Sequence, residues 1–347
     1  MKIDIASKTL DELKTEFAEA GEKPFRAGQV FSWIHKKNAV DFEEMTDISK
    51  NLRSFLSENY IIYNCTIEKK LKSEYDSSVK YLFKLYDGEY IESVLMKYKY
   101  GYTVCVSTQV GCKMGCRFCA TAQGGFERNL YPSEILSQIY TIQKDMDIRV
   151  SHVVLMGMGE PLDNYKNVLR FLELVNCSDG NNLSMRNISL STCGIVPKIY
   201  DLAEEKLQLT LSVSLHAPTD EIRSGMMPVN DAYPIAELIK ACKHYINLTS
   251  RRISFEYAMV DNVNDSDECA RQLARLLKGM LCHVNLIPVN NVVGNHFSKS
   301  TVNRIEAFSK ILERSGITTT VRRSLGSDID ASCGQLRRRV ISGREEN

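Results

Sequence analysis

The chain has 347 residues, of which 44% are hydrophobic and 25% are charged, and its formal net charge is +1. These proportions are ordinary for a globular protein, and the near-neutral total excludes a chain that binds nucleic acid through its overall charge. Any affinity for RNA must therefore come from local basic patches. The sequence contains no apolar run of about 18 residues, so we expect no transmembrane helix.

The cysteines and the first residues together indicate a cellular compartment. The N-terminal sequence MKIDIASKTLDELK lacks the apolar centre of a signal peptide. The chain has eleven cysteines, which show no regular spacing outside one loop. This usage favours a reducing environment in which thiols bind metals or take part in catalysis. We therefore expect a cytoplasmic protein that does not associate with membranes.

Residues 1–60 are predicted to form a small helical accessory domain. Apolar residues recur there at helical spacing, at Leu10, Leu13 and Phe17, then Phe25, Val30, Phe31 and Ile34, and finally Leu52 and Phe55. The segment KPFRAGQVFSWIHKK surrounds the only tryptophan, Trp33, with Lys23, Arg26, His35, Lys36 and Lys37. Two interpretations stay open and are compatible: Trp33 packs in the core of this module, and the basic face contacts RNA phosphates.

Residues 61–101 are predicted to form a β-hairpin extension, because strand-forming residues alternate around a turn at Asp87-Gly88. The hairpin leads into the strand that carries Cys105. Glu92 lies on this hairpin among apolar neighbours, where a lone glutamate is either solvated or functional. Basic and aromatic side chains then interleave in a pattern typical of RNA contacts, at Lys97, Tyr98, Lys99 and Tyr100.

From residue 102 onwards, apolar strands alternate with helices. We predict strands over 103–108, 152–157, 187–192, 209–214, 253–260 and 283–289. We predict helices over 132–147, 162–176, 196–206, 234–248, 266–280 and 301–315, and a further strand in TTTVRR. This alternation indicates an α/β fold with a parallel sheet, and six units fall short of the eight in a full barrel. We therefore predict a partial (β/α)6 barrel over 102–325, followed by a C-terminal segment, 326–347.

The most informative stretch is VCVSTQVGCKMGCRFCAT, which follows the first strand of the predicted barrel. Cys112, Cys116 and Cys119 are spaced CxxxCxxC. Structural zinc sites and ferredoxin clusters take four protein ligands, so three thiols on one loop indicate a metal centre with an open position. On spacing alone, two alternatives remain: a zinc loop whose fourth ligand lies elsewhere, and ordinary buried thiols.

Polar residues follow successive strands of the predicted barrel, at the end where parallel barrels carry their active sites. The second strand ends in MGMGEPLDNY, where Gly157 and Gly159 allow close approach of the backbone and Glu160 supplies a carboxylate. The later strands end in further polar groups, Ser191, Ser214, His216 and Asn290. Each alone is also compatible with an ordinary hydrogen-bonded residue at a strand end, and the glycines with an ordinary turn.

The C-terminal motif DIDASCGQL places Cys333 between two groups of arginines, Arg322 and Arg323 before it and Arg337, Arg338 and Arg339 after it. Neighbouring cations favour the thiolate and so a reactive cysteine. The alternative is an incidental thiol beside a solvated basic tail. The other cysteines show no motif and are predicted to be packing residues, namely Cys65, Cys177, Cys193, Cys242, Cys269 and Cys282.

These motifs resemble those of a known family. CxxxCxxC after an apolar strand resembles the signature of radical S-adenosylmethionine (SAM) enzymes, in which three thiolates hold a 4Fe–4S cluster and SAM binds its fourth iron. CVSTQVGC, ATAQGGFERN and DIDASCGQL resemble the RlmN family of RNA adenosine C2 methyltransferases and their C8 relatives, the Cfr enzymes. The resemblance runs over nearly the whole chain, from FRAGQVFSWIH to CGQL.

The resemblance implies a role for each site residue. It implies that Cys112, Cys116 and Cys119 hold the cluster, and that SAM is contacted by Gly159, Glu160, Ser191, Ser214, Leu215, His216 and Asn290. It further implies that Cys333 takes a methyl group from one SAM and is activated by a 5′-deoxyadenosyl radical from a second. Glu92 then accepts the ring proton of adenine, and Cys105 releases the RNA by forming a disulfide with Cys333.

The implied substrates are an adenosine in the peptidyl-transferase centre of 23S rRNA and the adenosine 3′ to the anticodon in tRNA. The implied electron donor is a flavodoxin or ferredoxin, and we expect a monomer. MGMGEPLDNY and NLIPVN favour C2 over the C8 reaction, whereas MKYKYG fits both. A hypothesis of another class is a non-enzymatic iron–sulfur or zinc protein that binds RNA and senses redox state, but it leaves DIDASCGQL without a purpose.

Overall fold

The computed structural model of the chain describes residues 2–289, 297–322 and 325–329. Within these ranges, one ten-stranded sheet dominates the fold and two short two-stranded sheets accompany it. No helix in the described ranges has the length and apolar character needed to cross a membrane. Two predicted site residues, Asn290 and Cys333, lie outside the described residues.

The N-terminal module contains the predicted helices. It comprises β1 (Ile3–Asp4), α1 (Leu10–Glu19), α2 (Pro24–His35), α3 (Lys50–Asn59) and β2 (Tyr60–Ile61), and β1 pairs with β2 in parallel. α1 begins with a capping box, since Thr9 and Glu12 each accept a backbone N–H of the other. Its apolar face is fully buried at Leu13 and Phe17. The module therefore folds because each helix buries one apolar stripe.

Two details of this module differ from the prediction. His35 does not belong to a basic face: it is fully buried, its ring lies 4.3 Å from that of Phe31, and its Nδ1 lies 3.0 Å from Tyr140 Oη. It follows Phe31 by one helical turn, which places it on the apolar face of the helix. Trp33 lies at the rim of the core, where Lys37 Nζ lies 3.5 Å from its ring centroid.

The extension consists of three antiparallel strands that continue the barrel sheet. These are β3 (Thr66–Lys72), β4 (Val79–Lys84) and β5 (Tyr90–Tyr98), and β5 pairs with β6 (Gly101–Cys105). The turn at Asp87-Gly88 lies between β4 and β5 as predicted, with Gly88 at a φ of +88°. The predicted hairpin is confirmed, and it is joined to the barrel as part of the same sheet.

The cysteine loop contains a small hairpin that the sequence analysis did not predict. It comprises β7 (Gln109–Gly111), α4 (Ala120–Gln123) and β8 (Phe126–Asn129), with β7 and β8 antiparallel. Gly111 adopts a φ of +80°, and a Cβ there would lie 2.0 Å from the carbonyl oxygen of Gly125. Only glycine therefore fits where the two sides of the loop approach each other.

The remaining elements form the barrel. In chain order they are α5 (Pro132–Met146), β9 (Val150–Leu155), α6 (Tyr165–Asn176), β10 (Ile188–Thr192), α7 (Val196–Glu204), β11 (Thr210–Ser214), α8 (Asp220–Met226), α9 (Val229–Ala232), α10 (Ile235–Thr249), β12 (Ile253–Met259), α11 (Asp267–Leu277), β13 (Cys282–Pro288), α12 (Val302–Arg314) and β14 (Thr318–Val321). The strands from β6 to β14 pair in parallel in the order β6-β9-β10-β11-β12-β13-β14. The six predicted units are confirmed, and the strand predicted in TTTVRR is a seventh. The short helices α8 and α9 were not predicted.

His35 predicts a specific dependence of stability on pH. Burial lowers its pKa to about 3, whereas histidine in an unfolded chain titrates near about 6.5. The unfolded state therefore binds the extra proton, so the stability from neutral His35 is complete above about pH 6.5 and is lost as the pH falls towards 3. Between pH 7.5 and 5, we expect wild type to lose about 2 kcal/mol more unfolding free energy than His35→Gln, measured by urea denaturation.

His244→Gln is the matched control, because this histidine lies on the surface of α10. Its pH dependence should follow that of wild type. Parallel stability curves for wild type and His35→Gln would show that His35 does not titrate on unfolding.

Candidate active site

A cavity opens at the C-terminal ends of the parallel strands, where the barrel fold places active sites. Most of the predicted site residues that the structure describes line it. These are Cys105, Cys112, Cys116, Cys119, Gly159, Glu160, Ser191, Ser214 and His216, together with Met114, Phe118, Met156, Cys193, Glu256 and Arg322. The structure thus brings together residues from the cysteine loop and from the ends of several strands, as far apart in the chain as Cys105 and Arg322.

The three thiols of the cysteine loop face this cavity. The Cys112 N–H donates to the Gly125 carbonyl at 2.7 Å, and the Cys119 N–H donates to the Cys116 carbonyl at 3.1 Å. Burial, followed by the neighbouring thiols and carboxylates, raises the pKa of Cys112 to about 12 and that of Cys116 further. Burial thus favours the protonated forms of Cys112 and Cys116, and binding of iron would displace these protons.

The outer wall of the cysteine loop is the unpredicted segment α8–α9. The Arg117 N–H donates to the Met226 carbonyl at 2.9 Å. Arg223 anchors this segment, since its guanidinium is fully buried and donates to the carbonyl oxygens of Cys193 at 2.6 Å and Leu215 at 3.1 Å. Two more of its bonds reach Ser214 O at 3.2 Å and Asn230 Oδ1 at 3.0 Å. Arg223 thus connects two strand ends to the wall of the loop.

The glycine-rich turn after β9 is held by Gln109. Gly159 adopts a φ of +101°, and a Cβ there would lie 2.5 Å from Gln109 Cβ, so only glycine fits. The Gln109 side chain accepts the N–H of Glu160 at 2.9 Å and donates to Asn129 Oδ1 at 2.8 Å and to Asp163 Oδ2 at 2.7 Å. The predicted close approach of the backbone at this turn is confirmed.

The Glu160 carboxylate is buried at the edge of the cavity. It accepts the N–H of Leu162 at 3.0 Å and the N–H of Cys193 at 2.7 Å, and the Cys193 thiol donates a further bond. Burial raises the pKa of Glu160, although these hydrogen bonds oppose the shift. Because burial disfavours the charged form of this carboxyl group, an ammonium group beside it would restore that form.

Strands β10 and β11 add polar groups beside Glu160. Ser191 and Ser214 line the cavity, as does His216, which accepts the Ala258 N–H on Nδ1 at 2.9 Å. Burial and then the charge of Arg223 lower the pKa of His216 to about 3, so it is neutral, with its proton on Nε2. The Leu215 side chain packs in the core instead, and its backbone carries the bonds to Arg223 and to Glu256 O.

Cys105 lines the cavity on the side formed by β5 and β6, whereas Glu92, also on β5, is buried and does not line it. Cys105 is buried at the end of β6, opposite Val94. Glu92 precedes Val94 by two residues and so points to the same face of the sheet. Its side chain is fully buried and pairs with fully buried Lys80, with 2.9 Å between Nζ and Oε2.

The sequence analysis missed four residues of the site. Gln109, Arg223 and Glu256 are polar residues fully or almost fully buried near the cavity, and Cys193, predicted to be a packing residue, lines it. The available signal was a polar residue within a strand-forming stretch, at Gln109 and at Glu256. Such a residue indicates a site because a buried polar group requires partners. Arg223 gave no such signal, since an arginine on a short amphipathic helix is usually exposed.

Comparison with known proteins decides the family. Residues 3–62 match the model of the ribosomal RNA large subunit methyltransferase N-terminal domain, and residues 106–274 match the radical SAM superfamily. The chain is 52% identical over 337 residues to a probable dual-specificity RNA methyltransferase RlmN of Lachnoclostridium phytofermentans, covering 97% of this chain and 95% of that protein. A protein of the same description from Clostridium tetani is 53% identical over 344 residues, covering 99% and 98%.

This chain belongs to the RlmN family. Its fold agrees, since the crystal structure of a radical SAM methyltransferase from Sphaerobacter thermophilus matches with a TM-score of 0.92 and 43% identity, over 96% of this chain and 98% of that one. The chain is therefore a radical SAM RNA methyltransferase, which confirms the prediction from the motifs. The superfamily implies a 4Fe–4S cluster and SAM as cofactors. Three thiols and a buried carboxylate that line one cavity are the types of donor that these two groups require.

Cys193 provides a test of how the thiols are used. Cys193 also lines the cavity and is a potential fourth metal ligand, but its S–H is engaged with Glu160. We expect Cys193→Ser, which keeps this hydrogen bond, to retain the iron and sulfide content of reconstituted wild type. Cys116→Ser, the matched comparison, should lose most of both. Equal iron loss in the two variants would show that Cys193 is a ligand.

Proposed function

We propose that this enzyme methylates C2 of adenosine in RNA, at the peptidyl-transferase centre of 23S rRNA and at the adenosine 3′ to the anticodon in tRNA. The observation that carries the proposal is that the three-thiol loop, the Glu160 turn and Cys105 line one cavity in a chain of the RlmN family. The enzyme would act in the cytoplasm as a monomer and receive electrons from a flavodoxin or ferredoxin.

Cofactor binding is assigned to the residues at the strand ends. Cys112, Cys116 and Cys119 would hold three irons of the cluster, and the Gly159-Glu160 turn would bind the ammonium group of SAM. Ser191, Ser214, the backbone of Leu215, His216 and Asn290 would contact the rest of that molecule. When bound, the cluster and two SAM molecules supply a methyl group and a 5′-deoxyadenosyl radical. Neutral His216 suits this site because it offers a hydrogen bond without an opposing charge.

Two cysteines outside the metal loop are assigned to the sulfur chemistry. Cys333 would carry the methyl group to the adenine carbon, which leaves RNA joined to its sulfur. Cys105 would then attack that sulfur, forming a disulfide and releasing methylated RNA. Its position on β6, facing the cavity from the strand before the metal loop, supports a role separate from the three ligands.

Glu92 is assigned to proton removal from the adenine ring. Only an unprotonated carboxylate accepts a proton, and Lys80 supplies the counter-charge that burial of such a group requires. Glu92 lies on the strand face that also presents Val94 and Met96 to the cavity. Glu92 would therefore act from the same strand face as two cavity-lining residues, on the strand that pairs with the one carrying Cys105.

An aromatic pair beside the start of β6 offers a stacking surface to RNA. The rings of Tyr98 and Tyr100 lie 5.0 Å apart and within 6° of parallel. Tyr98 lines the cavity, and Tyr100 is 60% exposed. An adenine that enters the barrel must leave its stack, and a neighbouring nucleotide would then stack on this pair. Arg322 also lines the mouth and is placed to meet a phosphate.

The sulfur chemistry is tested by Cys105→Ala. We expect this variant, incubated with SAM, reductant and RNA, to accumulate RNA joined to Cys333, because nothing attacks that sulfur. Mass spectrometry of the digested variant protein would detect the adduct. Mass spectrometry of digested RNA that the wild-type enzyme has methylated would locate the methyl group. Free protein with unmodified Cys333, or a methyl group on C8, would contradict the proposal.

The stacking surface is tested by a matched pair at Tyr100. Tyr100→Leu removes the aromatic face and should weaken RNA binding by roughly 5- to 150-fold, the loss expected for one base–aromatic stack. Tyr100→Phe keeps the face and should bind within about twofold of wild type. Fluorescence anisotropy with a labelled RNA hairpin measures both. Equal affinities for the two variants would show that no base stacks there.

A further inference from the structure

A second buried carboxylate, Glu256, lines the cavity and has no role in the reaction described above. It lies in the middle of β12, directly opposite Ser214 of β11, and is 5% exposed. Carboxylates are rarely buried in a barrel interior without a specific set of partners. The burial of Glu256 must therefore be explained by the side chains that it contacts.

Glu256 belongs to a closed ring of hydrogen-bonded side chains from β12, β13 and β14. The register places Ser254 opposite His283, Glu256 opposite Asn285, and Asn285 opposite Thr320. The contacts around the ring are Glu256 Oε1 to Ser254 Oγ at 3.0 Å, Ser254 Oγ to His283 Nδ1 at 3.2 Å, His283 Nε2 to Thr320 Oγ1 at 2.8 Å, Thr320 Oγ1 to Asn285 Oδ1 at 3.1 Å, and Asn285 Nδ2 to Glu256 Oε2 at 2.8 Å.

Half of this ring has only one arrangement of protons. Asn285 donates through Nδ2 to Glu256, so its Oδ1 accepts, and the single hydroxyl proton of Thr320 must point to it. Thr320 then accepts from His283, which requires a proton on Nε2. The protons that link these three side chains therefore have fixed positions. Only the protons on the path from His283 Nδ1 through Ser254 to Glu256 Oε1 can be arranged in more than one way.

That path has two fully hydrogen-bonded arrangements with the same number of protons. In one, His283 Nδ1–H donates to Ser254, and the Ser254 hydroxyl donates to the Glu256 carboxylate. In the other, protonated Glu256 donates to Ser254, and the Ser254 hydroxyl donates to Nδ1 of a neutral histidine. The two differ by one proton hop across the serine hydroxyl, so neither leaves a buried group unpaired.

The surroundings favour the arrangement without charges. Burial raises the pKa of Glu256, opposed by hydrogen bonds from Asn285, Ser254 and Ser212 and by the charge of Arg322. Burial, assisted by the charge of Arg252, lowers the pKa of His283. Both directions favour the arrangement in which the shared proton lies on Glu256, and the charge of Arg322 opposes this preference.

The ring joins two environments. Glu256 lines the cavity, whereas Thr320 is exposed at the edge strand β14. We infer that Glu256, Ser254 and His283 form a proton relay that carries a proton from the catalytic cavity to solvent. The inference rests on the proposed function, because replacing the C2 hydrogen of adenine by a methyl group releases one proton inside the barrel.

The transfer balances without any co-reactant other than water. The O–H bond of protonated Glu256 breaks as its proton binds Ser254 Oγ, while the original hydroxyl proton of Ser254 forms the Nδ1–H bond of His283. The imidazolium releases one proton to water beside Thr320, and the Glu256 carboxylate then binds the proton released in the cavity. Exchange of the histidine protons with solvent restores the starting tautomer. No electron is transferred at any step.

The test compares Ser254→Ala, which breaks the path, with Ser254→Thr, which keeps a hydroxyl at the same carbon. In the full-length reconstituted protein without RNA, ¹⁵N-histidine NMR reports the tautomer and titration of His283. We expect Ser254→Ala to shift the Nδ1 resonance and to uncouple the titration of His283 from Glu256, and Ser254→Thr to restore both. An Nδ1 resonance and titration unchanged in Ser254→Ala would overturn the relay.

Turnover provides a second readout. We expect Ser254→Ala to slow RNA methylation by about 10²-fold and to alter its pH profile and solvent isotope effect, with rescue by Ser254→Thr. A wild-type rate and pH profile in Ser254→Ala would overturn the relay. Absence of methylated RNA with wild type would instead defeat the proposed function, and the NMR comparison would still decide whether the ring shares a proton.

Discussion

The active site depends on a buried positive charge, the guanidinium of Arg223. Burying a guanidinium costs several kcal/mol unless its donors are satisfied, and here four hydrogen bonds satisfy them. Three of the acceptors are main-chain carbonyls at the ends of β10 and β11. The fourth, Asn230, lies beyond α8, the helix that packs against the metal loop. One side chain thus holds the cofactor strands and the loop wall in a single arrangement.

The same charge also shapes the electrostatics of the cavity. Arg223 helps to keep His216 neutral, because a positive charge disfavours a second one beside it. The same charge favours the negatively charged thiolate forms of Cys116 and Cys193. Three thiolates and a carboxylate around one cavity would repel one another strongly in a medium of low dielectric constant. The charge of Arg223 reduces this repulsion when the thiols lose their protons to bind iron.

Much of the fold was predictable, because near-continuous apolar strands and amphipathic helices leave a strong periodic signal. Gly159, Glu160, Ser191 and Ser214 could be predicted to meet because parallel strands end at one edge of a sheet. His35 was misplaced, since a histidine followed by two lysines resembles a basic surface until helical geometry shows which face it occupies.

The residues that escaped prediction are the ones whose partners are distant in sequence. Arg223 bonds to Cys193, thirty positions earlier, and Glu256 to Asn285, twenty-nine positions later. Sequence patterns record the local environment of a residue and its burial face, whereas these contacts exist only after the strands have assembled. These contacts form because a buried polar group needs a hydrogen-bond partner, and the partner is adjacent only in the folded barrel.

The central claim is that the three-thiol loop holds a 4Fe–4S cluster with one iron left open for SAM. Anaerobic reconstitution followed by electron paramagnetic resonance of the reduced protein tests it most directly. The account predicts about four irons per chain and a cluster signal that changes when SAM is added. A colourless protein with one zinc per chain, or an iron cluster whose signal is indifferent to SAM, would contradict it.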